Sequence, residues 1–242
     1  MYFIEVTDGP RKGDQIPLRE GDRLTIGRQA HTQFPVSGDS TLSGTHCTVS
    51  VQQNVLSVTD EGSSNGTYVD GVRIQVQRLL HGQGFRAGCS QFVVRFYPSF
   101  GSWILPAIPP GWSELPGRGI RIVQTRRFPT HILFTEESHP PRMPLAEYIR
   151  RQQLVTREAL PRAEFMVPIP LNVPSVEEAY LTRAQFEAAG GVLACQRELF
   201  VSKSGIPGIV SMTTINTECA HVDRMFDAVV AKARFLPRPP KR

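Results

Sequence analysis

The feature that most constrains this chain is a change of period near residue 97. Before it, the segments YFIEVTDG, RLTIG, HCTVSVQQ, VLSVTDE, TYVDG, VRIQV and QFVVRFY are short and rich in β-branched and aromatic residues. Gly, Asp and Asn separate them at short intervals. In HCTVSV, Cys47, Val49 and Val51 alternate with polar residues, the period of a strand with one buried face. No helical period appears. Regular short strands with turn signals predict an all-β sandwich of antiparallel sheets over residues 1–97.

The next stretch, PSFGSWILPAIPPGW, holds four prolines and two glycines, so neither a sheet interior nor a helix suits it. Residues 98–111 read as a proline-rich linker, with Trp103, Ile104 and Leu105 positioned to dock on a surface. Beyond it strands and helices mix. GIRIVQTRRF and THILFTEES read as strands, and Pro144 opens a helix carrying Leu145, Tyr148, Ile149 and Gln152 at helical spacing. EFMVPIPLNV, EEAYLTRAQFEA, VLACQRELFVSK and GIVSMTTIN supply four more strands, with Gly190-Gly191 as a hairpin turn. Val222, Met225, Phe226, Val229, Val230 and Ala233 form the apolar stripe of a last helix, with Asn216 or Thr217 as its cap. Residues 112–237 therefore read as an α+β domain with an antiparallel sheet and flanking helices, and residues 238–242 as a basic tail.

Charge and cysteines exclude several classes. Residues 1–97 carry 9 Lys+Arg and 9 Asp+Glu, leaving 18 and 13 for the rest of a chain of 27 and 22. Arg238, Lys241 and Arg242 among prolines read as a solvated end, and no nucleic-acid reading module accompanies them. Cys47, Cys89, Cys195 and Cys219 lack metal-ligand spacing and read as buried thiols of a reducing compartment. No secretory signal opens the chain, and no apolar run approaches the roughly 18 residues of a membrane span. The expectation is a cytoplasmic protein without membrane insertion, metal or cofactor. His131, His139 and His221 are dispersed and no catalytic motif is present, so no enzyme is expected.

The stretch DEGSSNGTYVDG, residues 60–71, is richer in hydrogen-bonding groups than a hairpin requires. Ser and Thr donate to phosphate oxygens, and Asn both donates and accepts along a peptide backbone. Gly27-Arg28, Ser43-x-x-His46 and Ser64-Asn65-Gly66-Thr67 followed by Asp70-Gly71 together resemble the forkhead-associated (FHA) domain, a phosphothreonine-binding β-sandwich. By position, the resemblance implies that Arg28 and Ser43 hold the phosphate, that Ser64 lies beside the phosphothreonine, and that Asn65 holds the peptide backbone. Gly27, His46, Gly66 and Thr67 match scaffold positions, His46 orienting loops by hydrogen bonds. One position departs: Gly44 stands where the family carries Arg, Asn or Lys, with Thr45 as a partial substitute. A charged hydrogen bond contributes about 1.5–3 kcal/mol, so the site is either weakened or phosphate-blind.

The second half, on ILFTEES…PLAEYIRRQQLVTREALPRAEF, YLTRAQFEAAGGVLACQRELFV and GIVSMTTIN, resembles the DcrB-like, PsbP-related fold. Within that group it is most similar to the Eag-type chaperones of bacterial type VI secretion, which cradle hydrophobic helices of effectors. That implies Ile120, Ile122, Ile132 and Phe134 as client-binding groove residues, the alternative being ordinary core. Type VI systems often use threonine phosphorylation read by FHA proteins. Together the two resemblances describe an adaptor binding a phosphothreonine-containing protein and a hydrophobic effector segment, with a homodimer expected. The alternative is a structural protein with a phosphate-blind FHA unit and a dimerising second domain.

Overall fold

The computed structural model describes residues 1–123, 130–137, 143–160, 162–188 and 190–238. His139, Lys241 and Arg242 lie outside the described residues. The chain divides into two compact units, Met1–Tyr97 and Pro98–Arg242.

The first unit is all strand: β1 (Tyr2–Asp8), β2 (Gln15–Leu18), β3 (Arg23–Gly27), β4 (Phe34–Pro35), β5 (Cys47–Gln52), β6 (Val55–Asp60), β7 (Thr67–Val69), β8 (Val72–Ile74), β9 (Val76–Leu79), β10 (Gly84–Ala87) and β11 (Ser90–Phe96). They form two sheets, ordered β2-β1-β11-β10-β7-β8 and β4-β3-β5-β6-β9. Both contribute alternate side chains to one core: Ile4, Phe92 and Val94 from the first face Ile26, Val49 and Val58 from the second. Every strand pair is antiparallel except β3 with β4. β2, β4, β9 and β10 are strands that the sequence pattern did not announce. The loops joining the strands at one end carry the polar residues singled out above.

In the second unit the chain order is β12 (Ser99–Phe100), β13 (Trp103–Ile104), β14 (Trp112–Leu115), β15 (Gly119–Ile122), β16 (His131–Glu136), α1 (Leu145–Ala159), β17 (Glu164–Phe165), β18 (Ile169–Pro170), β19 (Glu178–Ala188), β20 (Val192–Lys203), β21 (Ile206–Ile215), α2 (Cys219–Val230) and β22 (Arg234–Phe235). It is mostly sheet, with two α-helices among the described residues. The main sheet runs β14-β15-β16-β21-β20-β19-β17, with β18 also on β19. Strand β20 shows how it is covered. Leu199 and Val201 pack with Val222, Phe226 and Val229 of α2, while Phe200 packs with Leu145, Tyr148 and Ile149 of α1. A strand covered on both faces reads as a continuous apolar run.

Several expectations are corrected here. Residues 98–111 are not a free linker: β12 and β13 pair with each other and β13 pairs with β22, and Phe100, Trp103, Ile104 and Leu105 are each 2% exposed or less. The proline content hid the strand pairing and the burial of Phe100, while Trp103, Ile104 and Leu105, expected to dock on a surface, are buried. Ile120, Ile132 and Phe134 are core residues, and Ile122 packs partly buried against that core, so these four form no open groove. EFMVPIPLNV is two short strands, because Pro168 between them has no N–H to continue a ladder. Asn216 and Thr217 form a short 3₁₀ turn, and Glu218 occupies the cap of α2 without a side-chain bond. Cys195 and Cys219 are joined in a disulfide between β20 and the start of α2, and Cys89 is exposed; only Cys47 is a buried thiol. The 24-residue separation of the bonded pair gave no local sign of it. Among the described residues, no helix is long and apolar enough to cross a membrane.

Candidate phosphopeptide site

Two carboxylates build the loops of this site from inside. Asp60, the last residue of β6, accepts from the Ser63 amide (3.0 Å), the Ser63 hydroxyl (2.5 Å) and the Thr67 hydroxyl (2.7 Å). Ser63 Oγ then accepts from the Gly66 amide (2.9 Å), which closes the turn. Asp39 likewise accepts from the amide and hydroxyl of Thr41, the Cys89 amide and the Ser90 hydroxyl. Burial alone raises the pKa of each carboxyl, but these donors outweigh it. Asp39 is lowered to about 2 and Asp60 is lowered too. Neither aspartate was anticipated as part of the site. The signal was present in Asp60-x-x-Ser63 and Asp39-x-Thr41, spacings at which an Asp side chain bonds the backbone just ahead of it.

His46 ties two loops together. Its Nδ1 accepts from the Ser43 amide (3.1 Å), so the ring proton sits on Nε2, which donates to the Gly66 carbonyl (3.2 Å). The ring is fully buried, and burial lowers its pKa against the opposing pull of the Gly66 bond and of Asp60 and Asp39. A neutral histidine held at both nitrogens is a strut. Gly27 is required by packing: a Cβ there would lie 2.1 Å from the Gly44 carbonyl oxygen. Gly66 has φ +79°, and a Cβ there would meet the Arg73 side chain at 2.5 Å. Thr67 is fully buried on Asp60.

On this frame the polar side chains converge. The Arg28 amide donates to the Ser43 carbonyl (2.9 Å), which fixes the start of the loop after β3 against the loop before β5. The Arg28 side chain is exposed and makes no hydrogen bond or ion pair among the described residues. Ser43 Oγ accepts from the Ser64 amide (3.0 Å), which leaves its own proton free to donate outward. Asn65 Nδ2 donates to the Thr41 carbonyl (2.7 Å), leaving Oδ1 as an exposed acceptor. Thr45 Oγ1 lies 3.1 Å from His31 Nε2, and the Gln29 side chain lies over Gly44. The result is an exposed cation, two hydroxyls and an amide oxygen presented on three loops. That set suits a dianionic group attached to an extended backbone. No cluster of three or more His, Cys, Asp or Glu that could hold a metal occurs among the described residues.

The family profile of the FHA domain matches residues 24–88, the span that contains Arg28, Ser43, His46 and the Asp60–Gly71 loop. The N-terminal unit is an FHA domain. It is similar to a solved FHA domain from a study of phosphothreonine-dependent interactions, with 32% identity over 40% of this chain and 98% of that one, at a TM-score of 0.37. It is also similar to the FhaA FHA domain solved in complex with the intracellular domain of Rv3910: 32% identity, 39% of this chain, 100% of that one, TM-score 0.36. A third, the FHA domain of CT664 from Chlamydia trachomatis, shares 23% identity over 40% of this chain and 98% of its own, at a TM-score of 0.38. Among curated proteins, none matches the chain. The FHA family is one of peptide-binding modules, not of enzymes.

Proposed function

We propose that the chain is a phosphothreonine-dependent adaptor whose FHA domain takes a phosphothreonine peptide. The observation that carries the reading is the exposed, unengaged side chain of Arg28, whose backbone amide bonds the carbonyl of Ser43, together with the Ser43 hydroxyl oriented by the Ser64 amide. The similarity to an FHA domain from a study of phosphothreonine-dependent interactions supports it. Arg28 and Ser43 hold the phosphate, Ser64 lies beside the threonine, and Asn65 Oδ1 accepts from the peptide backbone. The full chain should bind a phosphothreonine peptide and ignore its unphosphorylated form. Arg28→Ala should lose about a hundredfold in affinity with an unchanged circular dichroism spectrum. Wild type binding both peptides alike would overturn the reading. Gly44 favours that second outcome, since it removes one donor from the phosphate; a phosphate-blind FHA domain would then serve only as a protein contact.

The second unit is read as the half that holds a protein client, an effector segment by the resemblance to the DcrB-like fold and to Eag-type chaperones. Its support lies in the side chains of Met166, Val167 and Ile169, exposed on and between β17 and β18. Val167→Asp should then abolish capture of an apolar helical peptide and leave the fold intact. Equal capture by wild type and variant removes this half of the proposal without touching the first.

A further inference from the structure

A row of three side chains runs across the outer face of the six-stranded sheet, starting at the recognition loop. Strand pairing sets Arg73 of β8 opposite Tyr68 of β7, and Tyr68 opposite Arg86 of β10. On β10, Phe85 and Ala87 point into the core, which turns Arg86 outward; on β7, Thr67 and Val69 point inward and turn Tyr68 outward. The Arg86 guanidinium lies 4.3 Å over the centre of the Tyr68 ring and donates to the Gly88 carbonyl. Arg73 lies against Gly66, directly after Asn65, and donates to the Ser63 carbonyl at 3.3 Å. No ion pair engages either guanidinium among the described residues. The next position in the row is Gln91, which is uncharged.

Two exposed arginines with no carboxylate, set either side of an aromatic ring, make a surface that gains by meeting negative charge. Arginine keeps most of its five N–H donors free when one is used on a carbonyl. Their strands are two ladder steps apart, about 10 Å, which an extended peptide spans in about three residues. The row begins where Asn65 would hold the peptide backbone.

We propose that the Arg73–Tyr68–Arg86 row is the second half of the peptide groove, and that it selects phosphothreonine peptides carrying an acidic segment on one side of the phosphate, with acidic residues about three positions apart. The inference rests on the phosphothreonine reading above and adds the sequence class of the ligand. Nothing in it depends on the identity of the phosphoprotein.

The test uses the full chain and fluorescent phosphothreonine peptides in three forms: neutral flanks, acidic residues before the phosphothreonine, and acidic residues after it. One acidic form, not both, should bind about fivefold tighter than the neutral form at low ionic strength, with the gain shrinking as salt is added. Arg86→Gln and Arg73→Gln should each reduce that ratio, and Arg73→Lys should keep most of it. Equal affinity for all three peptides, or a ratio that survives in Arg73→Gln/Arg86→Gln, would overturn the inference and leave the phosphate site standing. Failure of every phosphopeptide to bind wild type would overturn both. A single-stranded oligonucleotide that binds this face through Arg86 while acidic flanks give no gain would reassign the row to nucleic acid.

Discussion

The loop from Asp60 to Thr67 and the strand pair β15–β16 were both marked in the sequence as places of function, and the structure treats them differently. In the loop, Ser63, Asn65 and Thr67 find partners in Asp60 and Thr41, and the surplus polar groups that remain point outward as a site. In the strands, Ile120, Ile132 and Phe134 vanish into the core. The difference is chemical. A buried or half-buried polar group must find a hydrogen bond, so an excess of such groups constrains its own geometry. An apolar side chain satisfies itself against any neighbour, and the sequence around it is the same whether that neighbour is a client or the protein's own helix.

The sharpest way to break this comparison is to cut the second unit at the place its composition recommends. A fragment beginning at residue 112 lacks β12 and β13 and with them the buried Phe100, Trp103, Ile104 and Leu105. Each such side chain contributes about 1.5–3 kcal/mol, and whole domains are stable by only about 5–15 kcal/mol. Residues 98–242 should therefore melt cooperatively on their own, and residues 112–242 should not. Thermal melts followed by circular dichroism read both. A stable, cooperative 112–242 would restore the linker.

In the FHA domain the corresponding experiment removes one carboxylate. Asp60→Ala strands three donors at or near the buried turn, the Ser63 amide and the two hydroxyls. The expected loss is about 2–4 kcal/mol in a denaturant titration, together with phosphopeptide binding. Acid should act in the same direction through Asp39. Its pKa is lowered to about 2, so the stability it contributes is fully present above the ordinary carboxylate value and is lost as pH falls towards 2.

These two cases mark how far the sequence was legible. The two-unit division and the sandwich strands stood out because turn residues and a two-residue period carry local geometry with them, whereas Arg28, Ser43, Ser64 and Asn65 were named through the resemblance to the FHA family. The Asp39-x-Thr41 turn was legible locally, but the other half of Asp39's role, its bonds to Cys89 and Ser90 some fifty residues on, was not. The Cys195–Cys219 pair was invisible for the same reason, brought together only when α2 folds back on β20. In the second unit the two helices and the longer strands β15, β16, β19, β20 and β21 were found, while β12, β13, β14 and β22 were not, and neither were the faces. A strand such as β20, apolar on both sides, does not say which helix covers which side.

Glu198 offers a smaller and reversed effect on that same strand. It lies on the face of β20 that carries Phe200, opposite Thr182 of β19, with the Thr182 hydroxyl at 3.5 Å and the Gln196 amide at 3.2 Å. Burial pushes its carboxyl up to about 7, against the weaker pull of the Thr182 bond. The folded state here holds the proton more tightly than the unfolded chain. Stability therefore falls as pH rises from about 4.5 to about 7, the opposite of the aspartates in the FHA domain. Glu198→Gln should flatten that slope and stabilise the chain by about 2 kcal/mol at pH 8. A variant with the wild-type slope would place the buried charge elsewhere.

The smallest expected effect tests the one place where the FHA domain departs from its family. Gly44 is not in the left-handed region of backbone space, so a side chain there meets no conformational strain. A Cβ would approach the Gln29 side-chain amide, at 2.9 Å from Cδ and Oε1. That amide is the far end of a flexible, exposed chain and can swing aside. Gly44→Arg should therefore fold normally and add a donor to the phosphate, tightening phosphothreonine binding by about 1 kcal/mol. Gln29→Ala separates two explanations of the result. If Gln29 only fills the space above Gly44, its removal leaves wild-type affinity unchanged and adds to the gain of Gly44→Arg. If its amide already serves the phosphate in place of the missing side chain, Gln29→Ala weakens binding, and Gly44→Arg in the same chain restores what was lost. A Gly44→Arg variant that binds no better in either background would show that Arg28 and Ser43 suffice, and that the glycine is not a deficit.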